Sequence, residues 1–387
     1  MLIEVRKAGF VNKGAHLMLL SIKQAIETQY ADASITIAPS RNSATQPVKK
    51  IRENGFLIKA SAWRLGVQWG DLAGLLPNSL RSRMRLVLDK EVDVVLDASG
   101  FLYGSPWGRR ALLELRASAE RWRRSGTGLI FLPQAFGRFD TKIERESIFR
   151  VADAADLIFA RDRQSLANIQ EVLGTRDNVV LGTDFTVVTE PILPNDRDRL
   201  SKTVAFIPNA RMLDQTSADV RNAYLPFLKK CMRQLSQSGL NVALVIHEQQ
   251  SDARLAEALM IDESSCSIIR EDDPLKIKGL LGACRGVIGS RYHGLIGGLS
   301  QGVPAFGTSW NHKYRSLYEE YNFPEGLVVD LSETEARRIC QALLDDRWNT
   351  SIRTTLQLAG KEKEAVIKSM WQQVFSVAAQ YRHRGIR

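Results

Sequence analysis

The chain has 387 residues, 44% of them hydrophobic, and a formal net charge of +10. This length favours two domains, and the composition is that of a globular protein with sizeable cores, which excludes disordered and fibrous classes. No apolar run approaches the length that crosses a bilayer, and the N-terminus lacks the layout of a secretory signal, so we expect a cytoplasmic protein.

The first half of the chain alternates short apolar runs with amphipathic segments. Strands are predicted at residues 2–6, 34–38, 92–96, 128–132, 157–160 and 179–180. Helices are predicted around residues 17–26 and at 109–124, 147–154 and 161–174. Residues 41–90 mix Gly, Trp and Arg and are predicted to be mainly helical. This alternation is typical of a parallel, doubly wound sheet.

The second half repeats the pattern after a linker predicted at residues 189–202, which holds two prolines and a run of charges. Strands are predicted at residues 203–207, 242–246, 267–269, 287–289 and 304–306. Helices are predicted at residues 217–237, 252–260, 274–283, 313–321 and 333–382. The sequence therefore predicts an α/β protein of two Rossmann-like domains, residues 1–192 and 202–387, with a central cleft, the last helix packing back on the first domain.

Cysteine and histidine spacing indicates neither disulfides nor a metal site. The four cysteines lie far apart without a C-x-x-C pair, and the five histidines are scattered. His247 is followed by Glu248, but the pair does not extend to H-E-x-x-H. We therefore predict reduced core thiols and no metal.

Residues that carry chemistry follow the predicted strand at residues 287–289. The apolar run stops at Ser290, Arg291 and His293 follow at once, and a run of small residues opens a helix. Free backbone N–H groups and the helix dipole make such a junction an anion site, and open α/β sheets bind ligands at the carboxyl ends of their strands. A guanidinium beside an imidazole indicates chemistry on a phosphorylated or carboxylated substrate.

Several segments resemble, in order and spacing, the signature of the polysaccharide pyruvyl transferase family. They are Asn12-Lys13-Gly14, residues 132–137 (LPQAFG), 160–165 (ARDRQS), 182–184 (GTD), 290–294 (SRYHG), 302–304 (GVP) and His312-Lys313. The likeness covers most of the chain. The chain departs from the family's pattern at Ala15, where members often carry Asp, and at Ala135, where the family has Ser.

This resemblance implies the fold of the B-type glycosyltransferases. It implies a transferase that moves the pyruvyl group of phosphoenolpyruvate onto a sugar as a ketal and releases phosphate. The acceptor it implies is a sugar of a polysaccharide, such as an exopolysaccharide, or of a lipid-linked oligosaccharide. Phosphoenolpyruvate is then a co-substrate, and we expect no cofactor.

The donor carries a phosphate and a carboxylate, so two or more cationic side chains are expected around it. A histidine suits the proton transfer, because its ordinary pKa of roughly 6.5 lies near the working pH. We predict His293 as the general acid/base and Arg291 as the phosphate clamp. The further donor-binding candidates are Arg211, His247 and Lys313, and the acceptor-binding candidates are Asn12, Gly14, Ser99 and Gln134.

Two other functions remain open at this point. A nucleotide-sugar glycosyltransferase of the same two-domain fold is the alternative enzyme, since fold does not decide function. A non-catalytic basic protein is the other, but nucleic-acid motifs are absent, so we predict no nucleic-acid partner. Because the segment 109–124 is rich in arginine, we predict that it lies against an anionic membrane at the inner face, to which the protein binds peripherally.

Overall fold

The computed structural model describes residues 1–39, 47–61, 63–64, 67–248, 251–260, 266–309 and 313–382 of the chain. The chain forms two compact units. The first comprises Met1–Val11, Met18–Phe185 and Val366–Arg387, and the second comprises Asn12–Leu17 and Thr186–Ala365. The linker predicted at residues 189–202 lies in the second unit.

The first unit is built on a parallel sheet of eight strands. The strands of this half of the chain are β1 (Leu2–Arg6), β2 (Ser34–Ile37), β3 (Leu57–Lys59), β4 (Trp63–Arg64), β5 (Val67–Gln68), β6 (Leu86–Val87), β7 (Val94–Asp97), β8 (Gly128–Gln134), β9 (Leu157–Ala160) and β10 (Val179–Leu181). The order in the sheet is β10-β9-β8-β7-β1-β2-β3-β6, and β4 and β5 form a separate antiparallel pair.

Six helices accompany these strands: α1 (Lys13–Gln29), α2 (Val48–Glu53), α3 (Asn78–Met84), α4 (Arg109–Ser125), α5 (Lys142–Ala154) and α6 (Arg163–Leu173). β7 and β8 are buried along their whole length, as expected for central parallel strands with helices on both faces. α4 buries Leu112, Leu115, Ala119 and Trp122 in the core, a stripe that follows the helical period. The first five residues of α1, 13–17, belong to the second compact unit, and the rest of the helix belongs to the first.

The mainly helical structure predicted for residues 41–90 is incomplete, because the described part of this segment holds α2, α3 and two 3₁₀ turns but also the strands β3 to β6. β3 and β6 extend the first sheet beyond β2, and the β4–β5 pair, a 3₁₀ turn and the short helix α3 lie between them in the chain. β3 and β6 have three and two residues, too few to show the alternation of polar and apolar side chains by which strands are recognised. Residues 40–46, 62 and 65–66 lie outside the described part of the chain.

The second unit is built on a parallel sheet of six strands in the order β13-β12-β11-β14-β15-β16. The strands are β11 (Thr203–Ile207), β12 (Asn241–Val245), β13 (Cys266–Ile269), β14 (Gly286–Gly289), β15 (Ala305–Thr308) and β16 (Leu327–Val328). The helices of this half of the chain are α7 (Arg197–Ser201), α8 (Arg211–Asp214), α9 (Ala218–Gln237), α10 (Ser251–Leu259), α11 (Pro274–Ala283), α12 (Tyr292–Leu299), α13 (Lys313–Glu320), α14 (Glu333–Leu344) and α15 (Asp346–Ala379). From Val366 onward, α15 belongs to the first unit.

The single C-terminal helix predicted at residues 333–382 is two helices, α14 and α15, which meet at Asp345. The Oδ1 atom of Asp345 accepts hydrogen bonds from the backbone N–H groups of Arg347 and Trp348, at 2.8 and 3.1 Å. A side chain that caps the first turn of a helix marks the start of that helix. No Gly or Pro accompanies the break, so the sequence carried no strong sign of it.

Each sheet contains one place where the strand order reverses. In the first sheet the chain runs outward from β1 to β6, and β7 then pairs with the free side of β1. In the second sheet β11 leads outward to β13, and β14 pairs with the free side of β11. Such switch points open a ligand crevice at the carboxyl ends of the two central strands.

Candidate active site

The carboxyl end of β14 is held in place by a buried network of hydrogen bonds around Ser290. Its carbonyl oxygen accepts from Asn209 Nδ2 at 2.9 Å and from the Tyr314 hydroxyl at 2.7 Å. Its hydroxyl shares hydrogen bonds with Tyr224 at 2.7 Å and Thr308 at 2.6 Å. Burial raises the pKa of Tyr224 to about 12, so its hydroxyl stays protonated. The backbone that leads into Arg291 is therefore rigidly placed at the second switch point.

His293 lies in the first turn of α12, and Arg291 is the residue before that helix. The imidazole ring of His293 packs against Gly14. A Cβ atom added to that glycine would lie only 2.2 Å from His293 Nδ1. Asn12 Oδ1 accepts a hydrogen bond from the Gly14 N–H at 2.9 Å and thereby shapes the start of α1. Two motifs that are almost 280 residues apart in sequence thus meet within the second unit.

His247 follows β12 and is buried, and its Nδ1 atom has no hydrogen-bond partner among the residues that the structure describes. Burial lowers the pKa of His247 well below its ordinary value, and the positive charges of Arg291, His293 and Lys13 lower that pKa further. The ring is therefore neutral at neutral pH and offers hydrogen bonds rather than charge. His247 thus lies within electrostatic range of Arg291, His293 and Lys13, and these residues together with Gly14 form the cluster around His293.

The guanidinium of Arg291 is bound to two carboxylates of its own unit. Nε donates to Asp252 Oδ2 at 2.9 Å, and Nη2 donates to Asp252 Oδ1 at 2.6 Å and to Glu248 Oε2 at 2.7 Å. Arg291 and Asp252 are both buried, and burial raises the pKa of Asp252 even against the pull of Arg291. The charge of Arg291 is thus shared with two carboxylates of the protein, and its predicted role as phosphate clamp stays a prediction.

Lys13, between Asn12 and Gly14, was not among the predicted site residues, but the structure places its charge near His247. Its side chain is buried, and Nζ donates to the carbonyl and to the Oδ1 atom of Asp272, at 2.8 and 2.9 Å. A buried ammonium group near His247 adds a positive charge to the cluster. The signal available in the sequence was its place inside a loop already recognised as part of the site.

Lys313 is buried among aromatic rings at the start of α13. Its Nζ atom lies 5.0 Å from the ring centre of Tyr292 and 5.7 Å from that of Tyr314. Tyr292 in turn meets the His293 ring edge to face, with 5.6 Å between ring centres. The structure thus brings Lys313 into the surroundings of His293, whereas its predicted motif partner His312 lies outside the described residues.

Arg211 follows β11 and begins the short helix α8. Its side chain is 55% exposed and forms a 3.5 Å ion pair with Asp214. Its backbone N–H donates to Asn209 Oδ1 at 3.1 Å, which ties the start of α8 to the Ser290 network. Arg211 is therefore an accessible cation at the carboxyl end of β11, next to the second switch point.

Ser99 and Gln134 belong to the first unit and to a different network. Gln134 is buried, and its side-chain nitrogen donates to two oxygens of Asp97, the carbonyl O at 3.1 Å and Oδ1 at 3.2 Å. The side-chain oxygen of Gln134 accepts a hydrogen bond from Ser99 Oγ at 2.8 Å. The other Asp97 oxygen accepts from the Tyr103 hydroxyl at 2.7 Å and pairs with Arg6 Nε at 3.0 Å. These groups satisfy one another, and acceptor binding by Ser99 and Gln134 stays a prediction.

The arginine-rich segment predicted to face a membrane is α4, and several of its charges are paired. Arg116 contacts Glu120 at 3.2 Å and Glu146 at 3.3 Å, and Arg121 contacts Asp89 at 2.6 Å. Within the described ranges, no helix is both long and apolar enough to span a membrane. No group of three or more potential metal ligands occurs in that same part of the chain.

The comparison of sequences decides the family. The family model described as polysaccharide pyruvyl transferase matches residues 12–312, a range that contains Lys13, Gly14, His247 and His293 and ends one residue before Lys313. The chain belongs to the polysaccharide pyruvyl transferase family. Membership makes this protein a transferase of polysaccharide biosynthesis, with a pyruvyl donor and a saccharide acceptor. No curated protein matches the chain.

Solved structures place this pyruvyl transferase among proteins of the B-type glycosyltransferase fold. A UDP-N-acetylglucosamine 2-epimerase is similar with a TM-score of 0.60 at 11% identity, over 97% of this chain and 96% of that one. A glycosyltransferase from Rickettsia africae has a TM-score of 0.57 at 11% identity, with 99% and 98% covered. The UDP-GlcNAc 2-epimerase from Methanocaldococcus jannaschii has a TM-score of 0.55 at 11% identity, with 89% and 92% covered. At this identity the likeness concerns the fold alone.

Proposed function

We propose that this pyruvyl transferase moves the pyruvyl group of phosphoenolpyruvate onto two hydroxyls of a polysaccharide sugar or a lipid-linked oligosaccharide, forming a ketal and releasing phosphate. The observation that carries the proposal is the contact between His293 and Gly14 at the second switch point, amid the side chains of His247, Lys13 and Lys313. Both family motifs contribute to this one cluster, and the cluster holds the charge and the imidazole that the reaction requires.

The reaction is balanced without any further reagent. A proton is added to C3 of the enol, which becomes the methyl group, and the positive character moves to C2. One sugar hydroxyl bonds to C2 and a second replaces phosphate there, so the C2–O bond to phosphate breaks. Of the two hydroxyl protons lost, one matches the proton gained by C3 and the other leaves with phosphate. Proton transfer and stabilisation of the leaving phosphate are the tasks of the protein.

His293 is the general acid/base in this proposal, since it is the partly exposed imidazole of the cluster. His247 is held neutral by burial and by the surrounding cations, so it contributes a hydrogen bond to the donor rather than a proton. Two imidazoles in different environments can thereby perform different tasks at the same pH. The unpartnered Nδ1 atom of His247 supports a contact with substrate, because buried polar atoms normally have partners.

The donor's negative charge is met by Lys313 and Arg211 in this proposal, with Lys13 adding to the positive field. Arg291 serves as a positioning residue. It links the loop before α12 to Glu248 and Asp252, and so holds His293 and His247 in register. The candidates for acceptor binding are Asn12, which is exposed at the start of α1 in the second unit, and Ser99, which is partly exposed in the first unit. Gln134 supports Ser99 from a buried position.

The test is a donor assay with phosphoenolpyruvate labelled at C3, supplied with candidate saccharides and lipid-linked saccharides. We expect phosphate release that requires a saccharide, and transfer of the label to that saccharide. The same protein is incubated with UDP- and GDP-sugars, the donors of the alternative glycosyltransferase reaction. Sugar transfer from a nucleotide donor, with no response to phosphoenolpyruvate, would exclude the proposed reaction.

A matched pair of variants connects the assay to the site. His293→Asn should lose saccharide-dependent phosphate release, whereas Arg337→Ala, at an exposed residue of α14, should keep it. Both variants should keep the melting temperature of the parent protein. Full activity in His293→Asn would show that another group transfers the proton.

A further inference from the structure

The first unit exposes an unusual run of large apolar side chains between β5 and β6. Trp69 is 49% exposed, Leu72 57% and Leu75 84%, and Leu80 and Met84 are also exposed. They lie on a 3₁₀ turn, Gly70–Leu75, and on the following helix α3, in which no residue is buried. Single exposed apolar residues are ordinary, but five within sixteen positions indicate a surface that contacts something apolar.

Basic side chains surround these apolar groups. α3 and the residue after it carry Arg81, Arg83 and Arg85, and the neighbouring helix α2 carries Lys49, Lys50 and Arg52. The two helices are adjacent where they end, since Arg52 Nη2 donates to Met84 O at 3.4 Å and Arg85 Nη2 donates to Gly55 O at 2.7 Å. Glu53 and Asp71 are the acidic residues within residues 48–53 and 69–85. The apolar surface therefore has a strongly basic border.

The combination of apolar and basic residues selects the partner. Shallow insertion of Trp and Leu side chains, with Lys and Arg at the headgroups, is how peripheral segments bind anionic lipid surfaces. A second copy of this chain fits poorly, because a symmetric contact would place the same basic border against itself. Leu75 also projects into solvent rather than lining a groove, which suits a soft bilayer better than a shaped protein surface.

We propose that residues 69–85, supported by α2, form a membrane-docking surface that inserts Leu72, Leu75 and Leu80 into the headgroup region of an anionic bilayer. This surface differs from α4 in its apolar side chains, since Leu113 of α4 is 36% exposed whereas Leu75 is 84% exposed. Both segments contain paired cations, Arg116 and Arg121 on α4 and Arg81 with Glu91 at 2.7 Å here. Docking here does not depend on the donor chemistry proposed above. It would bring the transferase to the membrane, where a lipid-linked acceptor resides.

The first experiment uses a fluorescent reporter at Leu75. The four native cysteines are free and buried, so a cysteine introduced by Leu75→Cys can be labelled selectively with an environment-sensitive dye. Vesicles of phosphatidylglycerol and phosphatidylcholine should shift the emission to shorter wavelength and protect the dye from an aqueous quencher. The control is Leu358→Cys, on an exposed position of α15, which should show neither change. An unshifted, fully quenchable dye at position 75 would overturn the proposal.

The second experiment measures flotation of the full-length protein with the same vesicles. The variant Leu72→Ser/Leu75→Ser/Leu80→Ser and the variant Lys49→Glu/Arg83→Glu should each reduce vesicle binding by about tenfold or more. The matched controls on α15, Leu358→Ser/Val366→Ser and Lys361→Glu/Lys368→Glu, should bind like the parent protein. Because all these side chains are exposed, the fold should survive, which the melting temperature checks.

Three outcomes would overturn the proposal. The parent protein could fail to float with anionic vesicles at low salt. The apolar and charge variants could float as well as the parent, while Arg110→Glu/Arg124→Glu on α4 loses binding, which would assign the contact to α4. Light scattering without vesicles could show that the leucine variant converts a dimer into a monomer, which would make the surface a contact between two copies.

Discussion

The two units share one architecture, but the polar side chains at their switch points differ in how they are bound. In the first, the strand ends of β1 and β7 are joined by the Arg6–Asp97 ion pair, and Tyr103, Ser99 and Gln134 complete the contacts of Asp97. In the second, the strand ends of β11 and β14 are joined through Asn209 and Ser290, and Nδ1 of His247 has no hydrogen-bond partner in the described part of the chain. Among the described residues, Arg6 Nε at the first switch point also lacks a hydrogen bond, but it keeps an ion pair with Asp97 at 3.0 Å.

This difference shows how the same fold separates stability from chemistry. At both places the polar residues follow parallel strands, so their positions in sequence look alike. Groups that satisfy one another stabilise the sheet, and groups held in place without a partner remain available to a substrate. We therefore expect substitutions at the first switch point to lower stability and substitutions at the second to lower turnover.

The largest effect is expected for His293→Asn. Removing a general acid/base should lower kcat by about 10²- to 10⁴-fold, and the melting temperature should stay close to that of the parent protein. Steady-state phosphate release and a thermal melt measure the two quantities. A variant that is active but unstable would reverse the roles assigned to this switch point.

A large loss of stability is expected for Arg291→Met. This residue is an exception to the rule that substitutions at the second switch point lower turnover, because its ion pair with Asp252 is buried. Removing the guanidinium leaves the carboxylate of Asp252 buried without its counter-charge, which should cost about 3–5 kcal/mol of unfolding free energy. Urea unfolding measures the loss. The double variant Arg291→Met/Asp252→Leu should regain much of it, and no recovery would show that Arg291 stabilises the fold through other contacts.

The contact between the two motifs is tested by Gly14→Ala. The added Cβ atom would stand 2.2 Å from His293 Nδ1, so the imidazole ring must move. Misplacing a catalytic group by about 1 Å can reduce turnover about 10²-fold. We expect that loss in kcat with a nearly unchanged melting temperature, because the displaced group is the end of a side chain. Parent-like kcat would separate Gly14 from the function of His293.

The first switch point is tested by Gln134→Met, which keeps the volume of the side chain. The hydroxyl of Ser99 and the oxygens of Asp97 lose a partner in a buried region, so the unfolding free energy should fall by about 1–3 kcal/mol. kcat for the purified, folded variant should change little. A loss of kcat at unchanged stability would instead favour the predicted contact between Gln134 and the acceptor.

The smallest effect is a pH dependence that arises from His247. Its pKa in the folded protein lies well below the unfolded value of roughly 6.5, so only the unfolded chain binds the proton as the pH falls below that value. The unfolding free energy should therefore decline below about pH 6.5, by at most about 1.4 kcal/mol per pH unit from this group. His247→Gln should flatten that decline between pH 7 and 5, as urea unfolding at several pH values would show. An identical decline in both proteins would mean that the imidazole is protonated in the folded state.

Regular elements were predictable wherever the chain carried a clear period. The strands at β1, β8 and β14 and the apolar stripe of α4 agree with the predictions, because burial of one face leaves its pattern in the sequence. β3, β6 and the break at Asp345 were missed, since two or three residues or one capping carboxylate carry no period. The hydrophobic period of the sequence therefore predicts long helices and strands. It does not predict short strands, which form because a neighbouring strand pairs with them.

The sequence by itself determined the family, the two-sheet α/β architecture and the position of His293 after a buried strand, because motif order and hydrophobic period are local properties of the chain. Only the tertiary structure decided the state of each charged group. The fold pairs Arg291 with Asp252 and buries Lys13. It also lowers the pKa of His247 and packs the His293 ring against Gly14. The physical reason is that charge compensation and desolvation depend on distances across the fold, which sequence spacing does not encode.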